Sequence, residues 1–292
     1  MSRYINPFTD FGFKKLFREE ANKELLIDFL NSLLPEKHQI KTLAFRNVEQ
    51  SGMICPDRRA IFDIYCEAEN GERFIVEMQK AEQQWFKDRA LFYAAFPIRD
   101  QGLPGQDWKF ELKAIYFVGV LGFEYDQDEE RRKLQRNVQL KDQDGDLFYD
   151  KLEFIFLQMP LFTKTESELE TRRDKWLYFL KNLASFESLP SILQEPVFER
   201  ALETAAIARM SREELWKYEA SEKIYRDNYA VISTAWDKGH NIGQAEGRAE
   251  GKAEGRVEEK YAIARNLKKA GLAPTLIAET TGLSSEEIEW LE

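Results

Sequence analysis

Residues 111–123 read Glu-Leu-Lys-Ala-Ile-Tyr-Phe-Val-Gly-Val-Leu-Gly-Phe, and from Ala114 onward no charged or amide side chain interrupts the run. A strand with one face in water alternates apolar and polar residues. A strand without alternation must be covered on both faces, which is the signature of the interior of a partly parallel sheet. This one segment therefore predicts an α/β architecture, with helices packed above and below a sheet. The chain supplies such helices. Residues 7–18 begin with cap-like Thr9 and Asp10 and continue at helical spacing, and Asn22–Leu34 carries an apolar face of Leu25, Leu26, Phe29, Leu30 and Leu33 before Pro35. A helix over Gln83–Asp100 is expected to be interrupted or kinked at Pro97. Further strands are expected at 40–49 and 152–159, and the charge-rich Asp126–Gly145 reads as a mobile loop or an excursion from the core.

Two short strands joined at Asn70-Gly71 form a hairpin over roughly 59–79. It places Asp63, Glu77 and Gln79 on strands that are otherwise apolar. A buried carboxylate is unfavourable without a partner. Two held together commonly grip a hard cation such as Mg²⁺. Alternation puts Phe62, Ile64 and Cys66 on one face and Asp63 and Tyr65 on the other. On the second strand Ile75, Glu77 and Gln79 share a face. A two-residue turn would set the carboxylates on opposite sides of the sheet. A three-residue loop, Glu69-Asn70-Gly71 with Gly71 left-handed, sets Asp63 across from Glu77, and this loop is the one expected. Taken alone, the three polar residues also fit a solvent-facing hairpin edge.

The net charge of −10 opposes general nucleic-acid binding, which rests on phosphate neutralisation. A local basic rim stays compatible with it: Arg58, Arg59, Lys80, Lys87 and Arg89 cluster around the hairpin in sequence. Two cysteines, Cys55 and Cys66, are too few for a disulfide framework, and His38 and His240 stand in unrelated contexts. No apolar run approaches the ~18 residues that span a bilayer. With no signal-peptide pattern at the start, the expected location is the cytoplasm.

From Glu166 the pattern is helical, through Arg172–Leu183, Ser191–Ala208 and Glu213–Trp236. Glycine then recurs every fourth residue, at 239, 243, 247, 251 and 255, mostly after Ala-Glu. This stretch is either a helix whose glycine stripe meets a second copy of the chain or a flexible linker. A last helix to Ala270 with Gly271 as its stop, a second opened by Pro274 and ended by Gly282, and a third capped by Ser284 and Glu287 outline a helix-turn-helix. The acidic third helix suits protein contact rather than a DNA groove.

The Asp…Glu-x-Gln pattern, following Asp-Phe-Gly-Phe-Lys-Lys-Leu-Phe at 10–17 and Leu-Ile-Asp-Phe-Leu-Asn at 26–31, resembles the PD-(D/E)XK nuclease family transposases, the recombination-promoting or Rpn-like nucleases. The resemblance covers residues ~4–160 and extends more loosely to the tail. It implies a restriction-endonuclease-like α/β core, a mixed sheet flanked by helices, with a helical C-terminal region added. The division it suggests is a nuclease core over 1–165, a helical extension over 166–236, the Gly-x-Ala-Glu helix or linker over 237–256, and a small helical tail over 257–292. It also implies Mg²⁺-dependent cleavage of DNA. By position, Asp63 and Glu77 would bind the metal, helped by the Met78 carbonyl. Gln79 stands where the wider superfamily keeps a catalytic lysine; glutamine can orient a water but cannot deprotonate it. Lys14, Arg89 and Tyr93 would contact substrate, Arg89 and Tyr93 sharing one helix face. Lys80 points to the opposite face from Gln79. The alternative is a decayed nuclease fold serving DNA association or protein interaction.

Overall fold

The apolar run becomes strand β6 (Ile115–Leu121), every residue of it buried, at the centre of a six-stranded mixed sheet in a computed structural model. The structure describes residues 2–35, 38–50, 60–81, 84–102, 110–125 and 129–291. The other strands are β1 (Leu43–Phe45), β4 (Ile64–Ala68), β5 (Arg73–Gln79), β7 (Gln135–Lys141) and β8 (Leu147–Gln158), in the order β1-β4-β5-β6-β8-β7. The β5–β6 and β6–β8 pairs are parallel and the rest antiparallel. A separate antiparallel pair joins β2 (Glu49–Gln50) to β3 (Ala60–Ile61).

The two faces of β6 show why no charged residue is tolerated. Tyr116, Val118 and Val120 join Ile64, Cys66, Phe74, Val76, Ile155 and Leu157 in a core covered by α1 (Asp10–Phe17), α2 (Lys23–Asn31), α4 (Arg172–Asn182) and α5 (Pro196–Ala205). Phe117 and Leu121 face the other way, with Tyr65, Ile75 and Phe156, and are covered by α3 (Phe86–Arg99) through Phe86, Ala90 and Phe96. Helix α3 runs unbroken past Pro97. The proline falls in its last turn, and its carbonyl accepts the Arg73 Nη1–H (2.8 Å). The first layer is centred on fully buried Trp176, packed against Phe17, Phe29 and Phe198; its indole N–H donates to Asp28 Oδ1 (2.6 Å). Arg172 clasps the same Asp28 carboxylate with two donors, 2.7 and 2.8 Å.

Four further expectations need correction. The strand expected over 40–49 is two short pieces, Leu43–Phe45 in the main sheet and Glu49–Gln50 in the separate pair. The charge-rich segment before Gly145 is not wholly loop, because Gln135–Lys141 forms edge strand β7, largely exposed, and β8 begins at Leu147 rather than 152. An edge strand with polar residues on both faces carries no hydrophobic signal, and that same polarity blunts edge-to-edge pairing. The N-cap of α1 is Thr9 alone, its hydroxyl accepting the Gly12 N–H (3.0 Å); Asp10 lies inside the first turn. The run Ser191–Ala208 is a helix only from Pro196, which takes the first helical position.

The chain divides into two units, Met1–Ile224 and Tyr225–Glu292. Helix α6 (Arg212–Lys269) starts in the first, where Glu214 pairs with Lys15 (2.6 Å), Tyr218 Oη accepts the Asn6 N–H (3.0 Å), and Ser221 Oγ accepts the Phe11 N–H (3.2 Å). In the second unit the rest of α6 packs with α7 (Pro274–Thr281) and α8 (Ser285–Glu289) around Ala264, Ile277, Leu283 and Ile288. The Ser284–Glu287 capping box and left-handed Gly282 (φ 71°) stand where the sequence puts them. The glycine stretch is helical, and among the described residues nothing lies within 4 Å of where a Cβ would sit on any of its five glycines.

Candidate active site

The hairpin register decides whether the two carboxylates meet. The Ala68 N–H donates to Glu72 O (2.8 Å) and the Gly71 N–H to Ala68 O (2.9 Å), closing a three-residue loop of Glu69, Asn70 and Gly71 with Gly71 at φ 85°. Pairs from Glu67↔Arg73 to Ile64↔Val76 follow, so one further step sets Asp63 across from Glu77. The expected loop is the one that forms.

That further step is not an ordinary ladder rung. Strand β4 starts at Ile64, and the chain bends at Phe62–Asp63. There the side chains take over the backbone's hydrogen bonds. The Asp63 N–H donates to Glu77 Oε1 (3.1 Å), and the Met78 N–H donates to Asp63 Oδ2 (2.9 Å). Each carboxylate thus satisfies a main-chain donor that pairing would otherwise claim. The bend also overturns the strict alternation read from sequence: Phe62 lies on the α3 side with Tyr65, 5.4 Å between ring centroids, and meets Tyr93 edge-on at 5.3 Å.

Glu77 is 5% exposed. Burial first, and the neighbouring Asp63 charge second, push its carboxyl up to about 8, while Arg89 and Lys14 pull the other way. Its rung across the sheet is Glu77–Gly119–Phe156. A Cβ on Gly119 would lie 2.9 Å from Phe156 Cδ1, so the missing side chain admits the phenylalanine ring beside the glutamate's rung. Burial also raises Asp63, against the Met78 N–H and Lys14, with Asp10 adding to the rise.

The cations come from separate elements. Lys14 Nζ on α1 stands 2.6 Å from Asp10 Oδ1 and 3.5 Å from Asp63 Oδ1. Arg89 on α3 acts on Glu77 through space, with its guanidinium 4.9 Å from the centre of the Tyr93 ring. Lys80, just past β5, is held below the usual lysine range by burial, against Asp10, Asp63 and Glu222. Alternation does send Lys80 away from Gln79, but Asp63 reaches toward that same α1 side, so Lys80 belongs to the cluster.

The structure therefore brings together Asp63, Glu77, Lys14 and Arg89. Tyr93 packs on Phe62 beside them. Gln79 shares Glu77's face two residues on; its amide makes one long contact, 3.5 Å to Ala81 O. Asp10 and Glu222 are the residues that sequence reasoning missed, and Lys80, named there only in the basic rim and as facing away from Gln79, joins them. Asp10 carries a signal, its i,i+4 spacing to Lys14, but its place at the start of α1 equally suits a cap. Arg58, Arg59 and Cys55 lie outside the described residues.

Among the described residues no three Asp, Glu, His or Cys side chains form a ready-made metal cage. Two converging carboxylates, one of them buried beside the charge of the other, still fit a cation of the Mg²⁺ kind, which keeps waters and takes one or two protein carboxylates.

A mixed sheet between helical layers, with paired acids at the end of a parallel strand, defines a nuclease-like α/β fold. The chain belongs to the PD-(D/E)XK nuclease family transposases, whose family model matches residues 7–235. Membership assigns a nuclease- or transposase-like role. No curated protein and no solved structure matches the chain. No helix among the described residues is long and apolar enough to cross a membrane.

Proposed function

We propose that this protein is a metal-dependent DNA endonuclease linked to recombination or mobile elements, with Asp63 and Glu77 as ligands to Mg²⁺ and the Met78 carbonyl assisting. The observation that carries the reading is Glu77: a carboxylate almost wholly out of water, hydrogen-bonded to the backbone of a second carboxylate residue whose charge raises its pKa further. A fold retains so unfavourable a pair when something bound there offsets it. A divalent cation at this point would polarise the scissile phosphate and acidify a water.

The remaining work falls to the chain. Lys14 and Lys80 on the α1 side and Arg89 on the α3 side offset phosphate charge. Gln79 orients water through its amide without taking a proton. Tyr93 braces Arg89 by its ring face. The second reading, a decayed fold serving DNA association or protein contact, draws on Gln79 and the net charge of −10. We also propose self-association through the exposed glycine-bearing stretch of α6.

Plasmid nicking and isothermal titration with Mg²⁺, on wild type, Asp63→Asn and Glu77→Gln, separate these readings. The expected result is nicking and metal binding by wild type, with both lost in each variant. Equal activity in all three would remove the site assignment. Metal binding without cleavage under Mg²⁺ or Mn²⁺ would select the decayed fold.

A further inference from the structure

Helix α3 and its N-cap set two exposed aromatic side chains, Trp85 and Phe92, on either side of Arg89. Trp85, whose carbonyl accepts the Arg89 N–H (2.9 Å), is 67% exposed at the start of the helix. Arg89 follows at i+4 and Phe92, 47% exposed, at i+7. Residues at this spacing share one helix face. The Phe92 ring is fixed edge-on against Phe96, 5.0 Å between centroids, with its outer side in solvent. At a rise of about 1.5 Å per residue the two exposed rings are about 10 Å apart along the helix. That is roughly three stacked-base steps of about 3.4 Å each.

An aromatic, a cation and an aromatic in line suit a strand whose bases are free to stack and whose phosphates pass the cation between them. Duplex DNA keeps its base faces inside the stack, out of reach of rings on a helix surface. Duplex affinity must come from phosphate neutralisation over a wide basic surface. A chain of net charge −10, with Lys14, Lys80, Lys87 and Arg89 among the cations around the hairpin and on α3, is poorly supplied for that. Stacking is insensitive to the protein's overall charge. Arg89 belongs both to this row and to the electrostatic surroundings of Glu77, so the row leads into the candidate active site. Asp88, at i+3 from Trp85, lies along the other flank of the row and opposes a phosphate there.

From this placement we propose that the strand delivered to Asp63 and Glu77 is unpaired DNA, held by base stacking on Trp85 and Phe92 with a phosphate at Arg89. The inference rests on reading the site as one that acts on DNA.

The test is fluorescence anisotropy on the full chain, with EDTA present so that no cleavage occurs. The probes are a labelled single strand of about 12 nucleotides, within the usual span of such sites, and the duplex of the same sequence, each titrated across salt concentrations. The single strand should bind the tighter. Trp85→Ala and Phe92→Ala should each weaken it about ten-fold, leaving the salt slope unchanged because no phosphate contact is lost. Trp85→Tyr should restore most of the loss. Arg89→Ala should make the log–log slope shallower by about 0.7, and Asp88→Asn should tighten binding.

Tighter duplex binding, or full affinity in both alanine variants, would overturn the proposal. So would alanine variants that change sedimentation instead of affinity, since the row would then bind another copy of the chain. Single-strand binding that depends on the row, with no nicking under any divalent metal, would leave this inference standing and sink the nuclease reading. Nicking of duplex that ignores Trp85 and Phe92 would do the reverse.

Discussion

Glu77→Gln should make the protein more stable while abolishing metal binding, and the gain should depend on pH in a way fixed by the burial of one carboxyl. The Glu77 carboxyl is pushed from its ordinary 4.5 up to about 8 in the folded chain. Between those values the native state binds a proton that the unfolded chain has released, so native stability falls as pH rises through the window. Each tenfold change in proton affinity is worth about 1.4 kcal/mol. At pH 7 the unfolded glutamate is ionised and the folded one mostly protonated, so the wild type is penalised by about 3 kcal/mol relative to a neutral isostere. The substituted glutamine carries no charge, and its carbonyl can still accept the Asp63 N–H. For a unit of this size about 1 kcal/mol moves Tm by about 2–4 °C, so the variant should melt about 6–12 °C higher at pH 7. Thermal melts of both proteins in EDTA between about pH 4 and 9 read this directly. The curves should coincide near pH 4, diverge through about pH 5–8 and run parallel above about pH 9. Added Mg²⁺ should raise the wild-type Tm and leave the variant unmoved. A Tm difference that is constant across pH, or a variant that melts lower at about pH 8, would refute the account of Glu77 as a dry carboxylate beside a like charge.

Gly119→Ala should be destabilising by about 1–3 kcal/mol in urea unfolding, because the new Cβ would lie 2.9 Å from a Phe156 ring that is itself only 5% exposed. Trp176→Ala should lose about 3–5 kcal/mol, read as a lower urea midpoint, since it empties the centre of the α1/α2/α4/α5 layer and strips a donor from Asp28. The full chain should sediment as a dimer, and Trp236→Asp, at a residue 66% exposed on α6 and close in sequence to the first glycines, should shift it to monomer with unchanged helical circular dichroism.

Much of this architecture is legible because its cues are local. Seven consecutive buried residues in β6 leave no alternative to a strand covered on both faces. One glycine at φ 85° fixes the hairpin register, and with it the pairing of Asp63 and Glu77. What the sequence reading missed or left open depends on pairing that a segment does not signal by itself, on a close balance of propensities, or on packing between elements. Strand β7 is ordered by its ladder to β8 and carries no periodicity of its own. The helicity of the glycine stretch follows from the Ala, Glu, Lys and Arg residues between its glycines, all strong helix formers, but their sum against five glycines cannot be settled by inspection. Asp10 and Lys80 enter the cluster only because α1 packs at the end of β5, where Asp63 leaves the sheet plane.

That departure explains how one pair of acids can serve two layers. Had β4 continued in register through Asp63, both carboxylates would sit on the α3 face, and Asp63 would lose its close approach to Lys14 on the α1 side. The bend at Phe62 fills the α3 side with a ring and frees Asp63 to meet Lys14, while Glu77 stays on the face that Arg89 serves. Ending the ladder would normally orphan the Met78 and Asp63 amides, and unsatisfied buried donors are rare because each is worth about 1–3 kcal/mol. Here the two carboxylates accept those very N–H groups. The acids therefore perform the structural work of a missing backbone rung and are positioned by it. A substitution such as Asp63→Ala removes a candidate ligand and also unpairs Met78, whereas Asp63→Asn keeps the acceptor. The amide variants, rather than alanine, are thus the ones that isolate chemistry from folding at this site.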